Sequence, residues 1–120
     1  MNNEQITHYM LTKKYIKDEY LCWDFVRDVI KDILNIELPE YPLSEVPTKF
    51  KKTLTSNLRH IRIEPADAQE GDLIVFSMFD QQHAGVMINN ECFIHLPEEG
   101  VLVSDLDDAG GNYVIYRLLG

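Results

Sequence analysis

Only two cysteines, Cys22 and Cys92, occur in the 120 residues, too few for the disulfide framework on which small secreted domains rely. Basic residues are scarce as well. Eleven Lys and Arg stand against 20 Asp and Glu, a formal net charge of -9. Nucleic-acid affinity is built on phosphate contacts by Lys and Arg, so no nucleic-acid partner is expected. No apolar run approaches the ~18–20 residues that a membrane span needs. The opening Met-Asn-Asn-Glu-Gln has neither the basic patch nor the apolar stretch of a secretory signal, so cytoplasmic synthesis without a signal peptide is expected. Repeats and low-complexity tracts are also missing. What remains, 45% apolar and 26% charged residues, fits a single domain over residues 1–120 with one core.

The chain divides into a helical first half and a strand-rich second half. Residues 3–17 carry Ile6, Met10 and Ile16 at loosely helical spacing. Residues 22–34 give a far stronger signal. Cys22, Phe25, Val26, Val29, Ile30 and Ile33 form an unbroken stripe at i, i+3, i+4, i+7, i+8 and i+11. Asp24, Asp28 and Asp32 line another side and read as a solvated face. Pro39, Pro42 and Pro47 mark a loop, and Pro47 suits the first turn of a third helix bearing Phe50, Leu54 and Leu58. Beyond Pro65 the pattern changes to short strands: Leu73–Phe76, His83–Ile88, Cys92–Leu96, Val101–Val103 and Tyr113–Leu118. Helices followed by strands joined through short turns predict an α+β domain, with the N-terminal helices packed on an antiparallel β-sheet.

The segment from His83 to His95 is the most informative. Asn89-Asn90 is a turn signal between two β-prone runs. Alternation puts Ala84, Val86 and Ile88 on one face of the first strand, and Cys92, Ile94 and Leu96 on one face of the second. A three-residue turn at Asn89, Asn90 and Glu91 joins these apolar sets. That register leaves His83 and His95 together on the other face, one diagonal step apart. Cys92-x-x-His95 suggests half a zinc site that Cys22 and His83 could complete. Positions three apart on a strand point to opposite faces, however, which argues against convergence and makes Cys92 a small packing residue. His8 and His60 fall in no motif and read as ordinary polar positions.

Cys22 opens the strong helix, where unpaired backbone N–H groups and the helix dipole favour a thiolate. A thiolate suits attack on an amide, and an imidazole can both generate it and protonate the leaving amine. Cys22 could equally be no more than the first residue of the apolar stripe. In its blocks Cys22-Trp-Asp-Phe-Val26, Gly71-Asp-Leu-Ile-Val-Phe76, His83-Ala-Gly-Val-Met-Ile88 and Ile94-His95, the chain resembles the NlpC/P60 family of papain-like cysteine peptidases. The resemblance covers about residues 20 to 118. It implies that Cys22 is the nucleophile and His83 the base, and that His95 orients the His83 ring. It also implies an oxyanion site at the helix start, an amide bond of a peptidoglycan stem peptide as substrate, and no need of a metal or cofactor.

Many family members carry Asp-Cys-Ser where this chain has Leu21-Cys22-Trp23. The aspartate helps some of them to recognise a free amino terminus, so that requirement is not expected here. Tyr20 and Trp23 flank the nucleophile and are the candidate substrate-binding residues. Trp23 lies about 100° round the helix from Cys22, and packing under the loop of Pro39 to Pro47 is its other expected role. Cys22-Trp23 and the closing Tyr116-Arg117 are most similar to the branch associated with phage tails. Phage tail proteins are the expected partners there, with the protein carried on a virion or delivered to the cell wall. Two alternatives stay open. One is a tail-assembly or interaction module with weak or no catalysis; the other is an amidase toxin with a different substrate.

Overall fold

A computed structural model describes residues 1–40, 59–78 and 81–119. The expected third helix with Phe50, Leu54 and Leu58 lies outside the described residues. Helix α1 spans Asn3–Thr12 and α2 spans Cys22–Leu34. Six strands follow: β1 (His60–Ile63), β2 (Leu73–Met78), β3 (Gln81–Met87), β4 (Cys92–His95), β5 (Leu102–Asp105) and β6 (Tyr113–Leu118). They form one antiparallel sheet in the order β1-β6-β2-β3-β4-β5. Two short 3-10 turns, Pro65–Asp67 and Leu106–Ala109, connect parts of it.

The strong stripe forms α2 over the expected residues. Phe25, Val26, Val29 and Ile30 are wholly buried. They pack on Leu73, Val75, Ala84, Val86 and Ile94, the aliphatic face of the sheet. Full burial of such a side chain stabilises the fold by roughly 1.5–3 kcal/mol. The helix stops at Asn35, whose φ of 54° is a left-handed cap. α1 is shorter than residues 3–17 because its amphipathic pattern is weak and only Tyr9 is buried along it. The chain then closes a tight turn, with an isolated bridge from Ile16 to Tyr20 and Asp18 at φ 63°.

The aspartate row on α2 is more than a solvated face. Asp24 accepts the Leu21 N–H at 2.9 Å. Asp28 accepts from the Tyr20 hydroxyl at 2.5 Å and from Lys13 Nζ at 3.3 Å. Asp32 accepts from the Tyr9 hydroxyl at 2.8 Å. Each carboxylate therefore ties α2 to the chain before it.

The hairpin register matches the hydrophobic pattern. Val86 pairs with Ile94 and Gly85 with His95, while the Ile88 N–H bonds to the Cys92 carbonyl across a turn of Asn89, Asn90 and Glu91. On the second face Ile74, Phe76, Met87, Phe93 and Ile115 form another core, covered by Ala68 and Ala109 beside the 3-10 turns. Strand β1 has no counterpart among the strands read from sequence. It is a four-residue edge strand with Ile61 exposed, and its evidence lies in its partner β6, which it meets from His60↔Leu118 to Ile63↔Ile115.

The two ends of the strand half are joined by charge. Asp72, 2% exposed, accepts from Arg117 Nε and Nη2, both at 2.9 Å, and from the Gln69 N–H. Arg117 Nη2 also donates to the Asp67 carbonyl at 3.0 Å. The Gly71-Asp72 and Tyr116-Arg117 motifs thus form one clasp between the start of β2 and the end of β6.

Candidate active site

Cys22 is the first residue of α2, and its side chain is 8% exposed. Its thiol rests against β3, where backbone hydrogen bonding from Ala84 reaches the sulfur. Ala84 is the neighbour of His83, so the fold brings Cys22 to within one residue of His83 along the strand. The thiolate expected from the helix start is not the resting form. Burial pushes the Cys22 thiol up to about 11, outweighing the hydrogen bonds from the backbone of Ala84, Trp23 and Cys22 itself that pull it down.

His83 and His95 come together on the second face, as the register requires. His95 pairs with Gly85, two residues from His83, and the His83 imidazole opposes a positive charge on His95. Both rings meet Phe76. His83 stacks on it at 5.8 Å between centroids, and His95 meets it nearly edge-on at 5.6 Å. Phe93 encloses His95 from another side at 4.9 Å. Burial, reinforced by the neighbouring His83, lowers His95 to about 4, while burial lowers His83 against an opposing pull from Glu98. Both imidazoles are neutral near pH 7. Neutral His83 has a lone pair with which to take a proton.

Gly85 makes this pairing possible. A Cβ there would lie 2.9 Å from the Ile94 carbonyl oxygen, 3.1 Å from the Phe93 ring and 3.2 Å from His95 Cβ. The glycine in His83-x-Gly85 is therefore a space requirement beside His95.

The flanking residues are placed less openly than expected. Trp23 is 1% exposed and donates from Nε1 to the Pro39 carbonyl at 2.8 Å. Of the two roles expected of Trp23, this enclosed ring has the surroundings of the packing role beside Pro39. The half-buried Tyr20 has its hydroxyl engaged by Asp28. Cys92 lies at the hairpin turn, half-buried, with its sulfur 3.5 Å from Asn89 Oδ1. It points away from the face that carries His95, so Cys92-x-x-His95 does not converge on a metal.

Two neighbours of the site carry no role that the sequence motifs assign. Ser104 Oγ lies 2.9 Å from His95 Nε2, and Phe76 supports both imidazoles. The signal for Ser104 was strand alternation, since His95 pairs with Leu102 and residue 104 follows on the same face. A strand drawn to end at Val103 stops one residue short of it. A separate cleft of about 540 Å³ involves Arg62, Glu64, Asp107 and Tyr113 and touches none of the residues above.

A model of the NlpC/P60 family matches residues 6–119. No curated protein sequence matches the chain. Among solved structures, the NlpC/p60 domain of the peptidoglycan hydrolase SagA is similar in fold. The TM-score is 0.56 over 96% of this chain and 98% of that one, at 15% sequence identity.

Proposed function

The chain belongs to the NlpC/P60 family, and from that premise we propose that it is a cysteine peptidase cleaving amide bonds in peptidoglycan stem peptides, with Cys22, His83 and His95 as its catalytic residues. The observation that carries this reading is the seating of the Cys22 thiol on β3 at the backbone of Ala84, the chain neighbour of His83, with His95 on the same sheet face as His83. Because the thiol rests protonated, attack and deprotonation are coupled. The Cys22 proton passes to neutral His83 as sulfur bonds to the substrate carbonyl carbon. The oxyanion then forms at the first turn of α2, whose N–H groups have no partner within the helix. The His83 imidazolium gives its proton to the leaving amine, and water, deprotonated by His83, releases the acyl group from sulfur.

Leu21 and Trp23 carry no charge to pair with an ammonium, so a free amino terminus is not required of the substrate. Phage or prophage tails, with delivery to the cell wall, are the proposed setting. That setting is supported by the Cys22-Trp23 and Tyr116-Arg117 pairs alone, and both have packing roles here.

Mass spectrometry of defined stem peptides tests the activity. Cleavage by the wild type that disappears in Cys22→Ala is expected; a folded wild type that leaves every peptide intact would sink the reading. The buried thiol favours a second reading, an interaction module that keeps the fold with little catalysis. Alkylation separates the two. In the enzyme, His83→Ala slows alkylation of Cys22 at neutral pH, because the base is gone. Equal rates in both proteins would favour the module.

A further inference from the structure

Resting on the hydrolase reading above, we propose that Ser104 is a positioning residue that holds His95 as the tautomer protonated on Nε2, leaving Nδ1 as the acceptor for His83. A neutral imidazole has one N–H and one lone pair, and its partners decide which nitrogen carries which. A residue that steadies a proton-carrying base must offer that base a lone pair. His95 Nε2 is taken up by Ser104 Oγ at 2.9 Å. Its Nδ1 is buried and has no hydrogen-bond partner among the described residues, and the same holds for His83 Nδ1. Nδ1 is therefore the atom of His95 left to serve its neighbour. In this arrangement His95 Nε2–H donates and the serine hydroxyl oxygen accepts the hydrogen bond.

The surroundings make a single tautomer consequential. His95 is 4% exposed and held between Phe76 and Phe93, so its ring has little room to flip. The ionisable groups acting on it are His83 and Glu99. Its low basicity keeps it neutral through the range in which His83 would exchange protons, so tautomer choice, not charge, sets which way it points a lone pair. Ser104 reaches it from β5, a separate strand, so the hydrogen bond also fixes the ring against the sheet edge.

Nitrogen-15 NMR of the full chain labelled at histidine reads the tautomer without any substrate. The wild type is expected to show the His95 proton on Nε2, Ser104→Ala to show a mixture or a shift to Nδ1, and Ser104→Thr to restore the wild-type pattern. On stem peptides, Ser104→Ala should lower kcat by roughly 10- to 100-fold, as for other outer hydrogen bonds that orient a site imidazole, with KM little changed and threonine rescuing the rate. A wild-type proton on Nδ1, or a tautomer indifferent to Ser104→Ala, overturns the proposal. If the tautomer responds as expected and no stem peptide is cut, the hydrolase reading fails while the hold of Ser104 on His95 stands.

Discussion

Gly85 is the position where one methyl group would do most damage. Its missing Cβ leaves the space in which the β4 backbone and His95 approach β3. A carbonyl oxygen at 2.9 Å cannot rotate aside as a flexible side chain could, so Gly85→Ala must push β4 outward. We expect a loss of about 1–3 kcal/mol, typical of an overpacked interior, together with a fall in activity as His95 leaves His83. Chemical denaturation and stem-peptide cleavage measure the two effects. Wild-type stability with wild-type rate would show that the strands have slack there. The same scale explains Cys22: the helix start lowers a thiol's pKa only when water or a counter-charge can reach it, and burial here outweighs the backbone.

Among the elements, β2 and β6 are joined by more than their ladder. The Asp72–Arg117 clasp puts a nearly buried carboxylate under two guanidinium hydrogen bonds, beside the Gly71 turn that feeds β2 and packs on Leu34. Asp72→Ala leaves the guanidinium without its carboxylate, and removal of one partner of such a pair costs about 3 kcal/mol. Urea unfolding should show that loss, and Arg117→Met should cost as much or more, because it strands the buried carboxylate. A change under ~0.5 kcal/mol in both variants would mean that the clasp is solvated in practice. α2 is anchored in the same manner from its outer side, where Tyr9, Tyr20 and Lys13 reach the aspartate row. The elements that position Cys22 are thus fixed by polar contacts outside the apolar stripe.

For the molecule as a whole, the buried histidines couple stability to acidity. His95 falls from an ordinary 6.5 to about 4 in the folded chain, and His83 is lowered too. The unfolded chain therefore binds more protons as pH falls below about 6.5, and folding free energy is lost between there and about 4. For His95 alone the loss is on the order of 3 kcal/mol. Thermal melts across that range should show Tm falling with acid, and His95→Gln should flatten the decline. Identical slopes in the two proteins would place the acid sensitivity elsewhere.

The order of helices and strands, the span of α2, and the register that gathers His83 and His95 were all determined by the sequence alone. Each depends on a local period, 3.6 or 2, that apolar residues spell out in consecutive positions. So does the place of Cys22 at a helix start. Other features were decided only when distant segments met. Strand β1 needs β6 beside it, and Arg117 acquires a role only where Asp72 lies under it. Ser104 becomes a partner of His95 through a neighbouring strand. Trp23 turned to the Pro39 carbonyl because a buried indole N–H must find an acceptor. The protonation of Cys22 belongs to the same class. A helix start is written in the chain, but the burial that overrides it comes from packing α2 on the sheet, and desolvation is a property of the assembled fold.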